Sequence, residues 1–401
     1  AEGVVLDRFY TAPISTPTRA GLMTGRYPNR FGIRTTVIPP WREDGLDENE
    51  ETLADMLARN GYSNRAIIGK WHLGHTRKVH YPINRGFSHF YGHLNGAIDY
   101  FDHMREGELD WHNDWETCYD KGYSTELITQ EAVRCINTYE KEGPFLLYVA
   151  YNAPHTPLQA QEKDIELYCD DFGSLTPKEQ KRVTYQAMVS CMDRGIGTIV
   201  DALKKKGITD NTFLIFFSDN GPAGVPGSSS GKLRGRKFDE WDGGVRVPAV
   251  FYWKRAESNY KNLSSQVTGF VDIVPTLKEL VGDKNRPERA YDGISILPLL
   301  IGSTSCIDRN FYLGCGAVVN KDYKLIRKGR KPGLNLPQDF LVDYQTDPYE
   351  KKNASNGNEQ IVRSLYQVAL KYDTITPCLP EIPYGKGREG FKAPVEWKVT
   401  R

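Results

Sequence analysis

At 401 residues, with 39% apolar and 26% charged side chains, the chain has an ordinary globular composition and room for a large domain with a smaller one. Its 52 Lys and Arg nearly balance 51 Asp and Glu, which argues against a nucleic-acid binder. No apolar run approaches the ~20 residues of a membrane span. Seven cysteines are scattered without a C-x-x-C pair, so neither a zinc site nor a dense disulfide framework is indicated, although one pair such as Cys306 and Cys315 is free to bridge.

In chain order, the opening AEGVVLDRFY reads as the end of a helix running into a strand, and whatever precedes it, including any targeting segment, is expected outside these residues. Ser15-Thr16-Pro17-Thr18-Arg19 then reads as a helix start, with Ser15 or Thr16 as the cap, Pro17 in the first turn and Gly25 as the stop. Glu51–Asn60 places Leu53, Met56 and Leu57 on one helical face and stops at Asn60-Gly61. Ala66–Gly69 is a short apolar strand. Asp99–Tyr123 is a long polar insertion, expected as loops. Phe145–Tyr151 is a second strand, Tyr185–Lys206 a long amphipathic helix, and Phe213–Ser218 and Val247–Trp253 are further strands. Strands alternating with helices predict an α/β fold with a mostly parallel sheet sandwiched by helices, whose site lies beyond the carboxyl ends of the strands. After Leu300 the texture changes. Phe311–Leu313, Ala317–Val319, Tyr323–Arg327 and Phe340–Asp343 are short strands, and Glu359–Tyr372 is a helix, which predicts a small α+β subdomain with an antiparallel sheet. The expected division is 1–300 and 301–401.

Several of these elements end in reactive side chains. Ser15 at a helix start would face free N–H groups that favour an anion, with Arg19 one turn on beneath it. Lys70 and His72 follow the Ala66–Gly69 strand two apart, on one side if the chain stays extended, and suit an oxyanion and a proton transfer. His155 sits in a loop stiffened by Pro154 and Pro157. Asp219-Asn220-Gly221 is a turn whose carboxylate and amide oxygens suit Ca²⁺ or Mg²⁺. Lys237 lies in Leu233-Arg234-Gly235-Arg236-Lys237, ahead of Gly243-Gly244-Val245-Arg246.

In identity and order these segments resemble the formylglycine-dependent sulfatases of the alkaline-phosphatase-like superfamily. The matching motifs are Ser-x-Pro-x-Arg…Thr-Gly, Gly-Lys-Trp-His, a loop histidine, Asp-Asn-Gly and Arg-x-Lys…Gly-Gly-x-Arg. The likeness continues through Asp272–Leu277, Asp292–Leu300, Lys324-Leu325-Ile326 and Asp347-Pro348. Within the family, the segments around Gly69–Gly74, Arg85-Gly86-Phe87, Asp99-Tyr100 and Leu233–Arg246 resemble the arylsulfatase B branch, the N-acetylgalactosamine-4-sulfatases.

The resemblance implies that Ser15 is oxidised to formylglycine by a serine-type maturating enzyme. One oxygen of the hydrated aldehyde attacks sulfur and displaces the sugar alcohol; the second loses its proton, and collapse to the aldehyde expels sulfate. Arg19 would hold the diol, and His72 would orient or deprotonate it. Lys70, Lys237 and His155 would bind sulfate oxygens, with His155 or Lys237 helping the leaving alcohol, and Ca²⁺ (or Mg²⁺) would sit on Asp219 and Asn220. A sulfated carbohydrate is the implied substrate, and the periplasm or exterior the implied location. The family's paired Asp-Asp, two further metal carboxylates ahead of the serine, and the central strand that bears it are not found in the fourteen residues before Ser15. Two other readings stay open: a phosphatase or phosphonate hydrolase of the same superfamily, and a sulfated-glycan-binding protein without turnover. Asp99, Tyr100, Trp111, Trp115 and Trp241 suit either sugar stacking and hydrogen bonding or plain loop packing.

Overall fold

The computed structural model describes residues 3–254, 263, 265–330 and 334–399. The chain forms two compact units. The first comprises residues 1–37, 211–224 and 229–383; the second comprises 38–210, 225–228 and 384–401.

The second unit carries the parallel sheet. Asn64–Lys70 lies between His89–His93 and Phe145–Ala150 and is parallel to both; His112–Asn113 and Glu116–Thr117 extend the far edge antiparallel. Helix Ser124–Thr138 covers one face, with Ile128, Ala132 and Cys135 packed on Ala66 and Ile68, and the long helix Pro177–Lys206 packs against it. That long helix begins eight residues before the apolar repeat does. Thr176 caps it reciprocally with Glu179, Pro177 takes the first position, and Gly207 at φ 72° closes it. The Leu53–Arg59 helix is capped the same way by Thr52 and Asp55 and stops at Asn60-Gly61 as expected.

The Asp99–Tyr123 insertion is not loop alone. Met104–Arg105 pairs with Glu108–Leu109, and His112–Asn113 pairs with Glu116–Thr117 and joins the main sheet. Trp111 is fully buried against Tyr91 and stacks on His103, so it is a core residue and not a sugar platform. Trp115 stays 43% exposed, with one face stacked on Tyr81.

In the first unit, Ala249–Tyr252 lies antiparallel between Val4–Val5 and Leu214–Phe217. A small sheet joins Phe9–Tyr10 to Arg246–Val247 and, in parallel, to Thr268–Gly269. The four C-terminal strands form the expected antiparallel sheet in the order Phe311–Gly314, Ala317–Val319, Tyr323–Ile326 and Phe340–Asp343, with helix Glu359–Asp373 packed on it through Leu365 and Ala369. None of the seven cysteines is in a disulfide, so the bridge allowed between Cys306 and Cys315 is not made.

The Tyr323–Ile326 strand also carries a buried charge. Lys324 is completely enclosed, and its ammonium donates to Asp242 at 2.9 Å and Glu350 at 2.7 Å. Glu350 in turn accepts from the backbone N–H of Asp242 at 2.7 Å, and Tyr344 donates to Asp242 at 2.9 Å. Burial raises the Glu350 carboxyl to about 7 even though Lys324 opposes the shift, so the ammonium is what makes two enclosed carboxylates tolerable. Removing the cation leaves Glu350 buried without its ammonium and Asp242 with Arg246 alone, at 3.4 Å. Lys324→Met is therefore expected to lower unfolding stability by about 3–5 kcal/mol in urea denaturation at pH 7. A loss under ~1 kcal/mol would show that the triad is not under this strain.

Candidate active site

Helix Ser15–Thr24 sets the first group of side chains. Its cap is Ile14, whose side chain makes no capping bond, and Ser15 is the first helical residue. Neither Ser15 nor Thr16 is the cap, contrary to expectation. The reason is that the Ser15 hydroxyl has another partner and donates to Asp219 Oδ2 at 2.7 Å. Gly25 does end the helix, at φ 68°.

Arg19 lies one turn beneath Ser15, as the spacing predicts. Its Nε is 3.2 Å from Ser15 Oγ, and its guanidinium donates to Asp219 Oδ2 at 3.1 and 2.9 Å. One carboxylate oxygen thus gathers a hydroxyl and a guanidinium at the mouth of a helix N-terminus. Ser15 is 2% exposed and the Asp219 side chain 26%, so the cluster is sheltered but reachable.

Asp219 follows the Leu214–Phe217 strand. The Gly221 N–H donates to Gly244 O at 2.9 Å, and a Cβ on Gly221 would stand 2.0 Å from Gly243 O. Asp-Asn-Gly and Gly-Gly are therefore two halves of one interlock, which a larger residue at 221 would break. The same interlock carries Lys237. Its N–H donates to Pro222 O at 2.9 Å, and that of Phe238 donates to Pro13 O at 2.9 Å. The Lys237 ammonium is pushed below its usual range by burial and by Arg19, with Asp219 opposing. Trp241 is buried against Phe340 with the Arg234 guanidinium over its ring, so it too is packing.

Lys70, His72 and His155 belong to the second unit. Lys70 ends the Asn64–Lys70 strand and is buried. His72 is not on an extended continuation of it: its φ is 60°, so alternation along a strand does not relate it to Lys70. The turn follows from the backbone pairing, because Trp71 and His72 donate their N–H groups to His93 O and Leu94 O on the neighbouring chain segment. His155 is half-buried. Its Nδ1 lies 2.7 Å from Thr156 O, its carbonyl accepts from Tyr100 OH at 2.9 Å, and Tyr100 is fully buried. Asp99 caps its own turn through the N–H groups of Phe101 and Asp102 and accepts from Gln159. Asp99 and Tyr100 thus brace the His155 loop, a role sequence reading missed.

Two places have the chemistry of a cation site. At Asp219-Asn220, the Asn220 Oδ1 is buried without a hydrogen-bond partner, an acceptor that a hard cation would satisfy. Together with the Asp219 carboxylate, this oxygen set fits Ca²⁺ or Mg²⁺ in kind and supplies two ligands. His89, Glu131 and Cys135 form the other group with ligand proximity among the described residues. There Arg134 Nε donates to Glu131 at 2.7 Å, and the two His89 nitrogens lie 2.9 Å from Asp114 and 2.6 Å from Glu131. That group is already a closed ion network.

Comparison with known proteins gives a consistent picture. Residues 1–283 match the family model described as Sulfatase. Arylsulfatase J of Mus musculus is 35% identical over 306 residues, spanning 74% of this chain and 50% of that protein. N-acetylgalactosamine-6-sulfatase of Homo sapiens is 31% identical over 325 residues, spanning 75% of this chain and 59% of that protein. The chain thus spans about half the length of the curated relatives it matches. The solved structure of Ps i-CgsB in complex with a neocarrahexaose is similar at a TM-score of 0.83 and 29% identity, covering 95% of this chain and 87% of that one.

Proposed function

Because the chain belongs to the sulfatase family, we propose that it hydrolyses sulfate esters of carbohydrates, with Ser15 as the precursor of its nucleophile. The observation that carries this reading is the position of the Ser15 hydroxyl: first residue of a helix, in contact with Arg19 and Asp219, within a Ser-x-Pro-x-Arg motif. Converted to formylglycine, Ser15 would supply a hydrate with one hydroxyl to attack sulfur and a second to release sulfate.

The chain's own residues do the rest. The helix N-terminus and the Arg19 guanidinium favour negative charge beside Ser15, where it accumulates during transfer. Asp219 accepts from both Ser15 and Arg19 and so orients them. Lys237, whose ammonium is easier to deprotonate than an ordinary lysine's, is suited to contact a sulfate oxygen and to give a proton to the leaving alcohol. To Lys70 and His155 we assign sulfate oxygens, and to His72 the orientation or deprotonation of the nucleophile; the motif match supports these roles. A phosphatase of the same superfamily would need a second metal with further Asp and His ligands, and the one additional cluster of such residues among the described residues is closed by Arg134.

Asp219 and Asn220 are the residues we assign to a divalent cation, Ca²⁺ in preference to Mg²⁺. With two protein oxygens where Ca²⁺ takes six to eight ligands, calorimetric titration of the 401-residue chain is expected to give a Kd of roughly 10⁻⁴–10⁻³ M or weaker. Asn220→Ala should remove what binding there is. Submicromolar affinity would contradict a two-ligand site.

For the substrate, we propose galactosamine units sulfated at position 4, in chondroitin or dermatan fragments. The segments that resemble the 4-sulfatase branch support this, while the likeness to N-acetylgalactosamine-6-sulfatase makes position 6 the competing choice. We further propose maturation by a serine-type enzyme and a periplasmic or secreted location; no described helix is long and apolar enough to cross a membrane. Sulfate release by matured protein from a panel of position-defined sulfated sugars tests the function. Turnover of galactosamine 4-sulfate above glucosamine 6-sulfate is expected. Equal or faster release from galactosamine 6-sulfate or glucosamine 6-sulfate would reject the substrate, and release from none of the panel would reject the sulfatase reading.

A further inference from the structure

We propose that Gly96 and Asp110 are positioning residues for the reaction, forming the seat on which the His72 imidazole rests; the proposal depends on the role given above to His72. His72 holds a backbone angle, φ 60°, that side-chain-bearing residues seldom adopt, so something must hold it there. The structure shows what does. Its N–H donates to Leu94 O at 3.0 Å, which ties it to the turn Leu94-Asn95-Gly96.

That turn is fastened from beneath by one carboxylate. Asp110 has no exposed surface, and its two oxygens accept from the N–H of Leu94 and the N–H of Asn95, each at 2.9 Å. The Asn95 side-chain amide adds a third bond at 2.9 Å, and His112 Nε2 lies 3.1 Å away. Burial alone would push this carboxyl upward. The hydrogen bond and charge of His112, the charge of His93 and the Leu94 amide more than reverse that, so Asp110 stays well below the usual carboxylate range and remains an acceptor at both oxygens.

Gly96 supplies the seat itself. A Cβ there would stand 2.4 Å from both Cε1 and Nε2 of His72 and 2.9 Å from Nδ1. The backbone of Gly96 is not in the left-handed region, so glycine is needed here for room and not for conformation. The ring therefore lies flush against a bare α-carbon. A single methyl would displace it while leaving the backbone free to keep its path.

This makes Gly96→Ala a selective test, because the substitution should fold normally and move one imidazole. In matured protein kcat is expected to fall about 100-fold, the scale on which a misplaced catalytic group acts, with KM changed by less than about threefold. The melting temperature should stay within a few degrees of the unsubstituted protein. In a His72→Ala background, adding Gly96→Ala should cost less than about twofold more, since the seat acts only through the ring. Histidine-labelled NMR gives a readout that needs no turnover. The His72 signals, assigned by their loss in His72→Ala, should shift in Gly96→Ala. Wild-type kcat in Gly96→Ala, or the same 100-fold loss on top of His72→Ala, would overturn the proposal. If the unsubstituted protein releases no sulfate, the sulfatase reading falls by itself; unshifted His72 signals in Gly96→Ala then overturn the seat, and shifted ones sustain it.

Discussion

A lysine ammonium cut off from water organises the first unit. Lys324 sits on an inner strand of the C-terminal sheet, yet its two partners lie outside that strand: Asp242, at the start of the Gly-Gly segment, and Glu350, after the last strand. An enclosed cation cannot relax into solvent, so it fixes both partners. Asp242 leads into Gly243 and Gly244, which interlock with Gly221 beside Asp219, and the same loop presents Lys237. A small antiparallel sheet therefore contributes rigidity to residues it does not itself carry.

The cluster it supports follows a simple electrostatic logic. The start of the Ser15–Thr24 helix and Arg19 are positive, Asp219 is negative, and Ser15 hydrogen-bonds to both side chains. In this arrangement Asp219 compensates the Arg19 guanidinium. A bound sulfate ester would bring its own negative charge to the same donors, and a cation on Asp219 and Asn220 would then balance it. The Asn220 Oδ1, buried without a hydrogen-bond partner, is an acceptor of the kind such a cation would take.

Much of this was legible in the sequence, and what was not had identifiable causes. The C-terminal strands fell where short apolar runs between turns placed them, and they are mostly buried on both faces; the helix fell where helical spacing placed it, with Leu365 and Ala369 on its buried side. The contact between Ser15 and Arg19 followed from one helical turn of spacing. By contrast, the first turns of the Pro177–Lys206 helix are polar and escape any search for apolar periodicity, although Thr176-Pro177-Lys178-Glu179 spells out the cap. The turn at His72 was hidden because nothing in its side chain announces a left-handed backbone. Trp111 and Trp241 suited sugar stacking and loop packing equally in the sequence, and burial decides for packing. The roles of Lys324 and Asp110 as buried charges were beyond reach, since such a charge is recognised by its partners and those lie up to 82 residues away. Phe145–Ala150 is apolar enough for a strand enclosed on all sides but is the end strand of its sheet among the described residues, and it is mostly only half-buried.

The proposed reaction depends on what Ser15 becomes. A plain serine, once sulfated, has no second hydroxyl with which to expel the sulfate, and its neighbours here are suited to holding charge more than to repeated deprotonation of an alcohol. The direct measurement is the mass of the Ser15 peptide from protein made in its own host, taken alongside multiple-turnover sulfate release. In active protein a residue lighter by two hydrogens, the aldehyde, is expected, with near-complete inactivity when the same chain is made without a maturase and keeps its serine. Efficient multiple turnover by protein whose Ser15 mass is unmodified would contradict the proposed reaction.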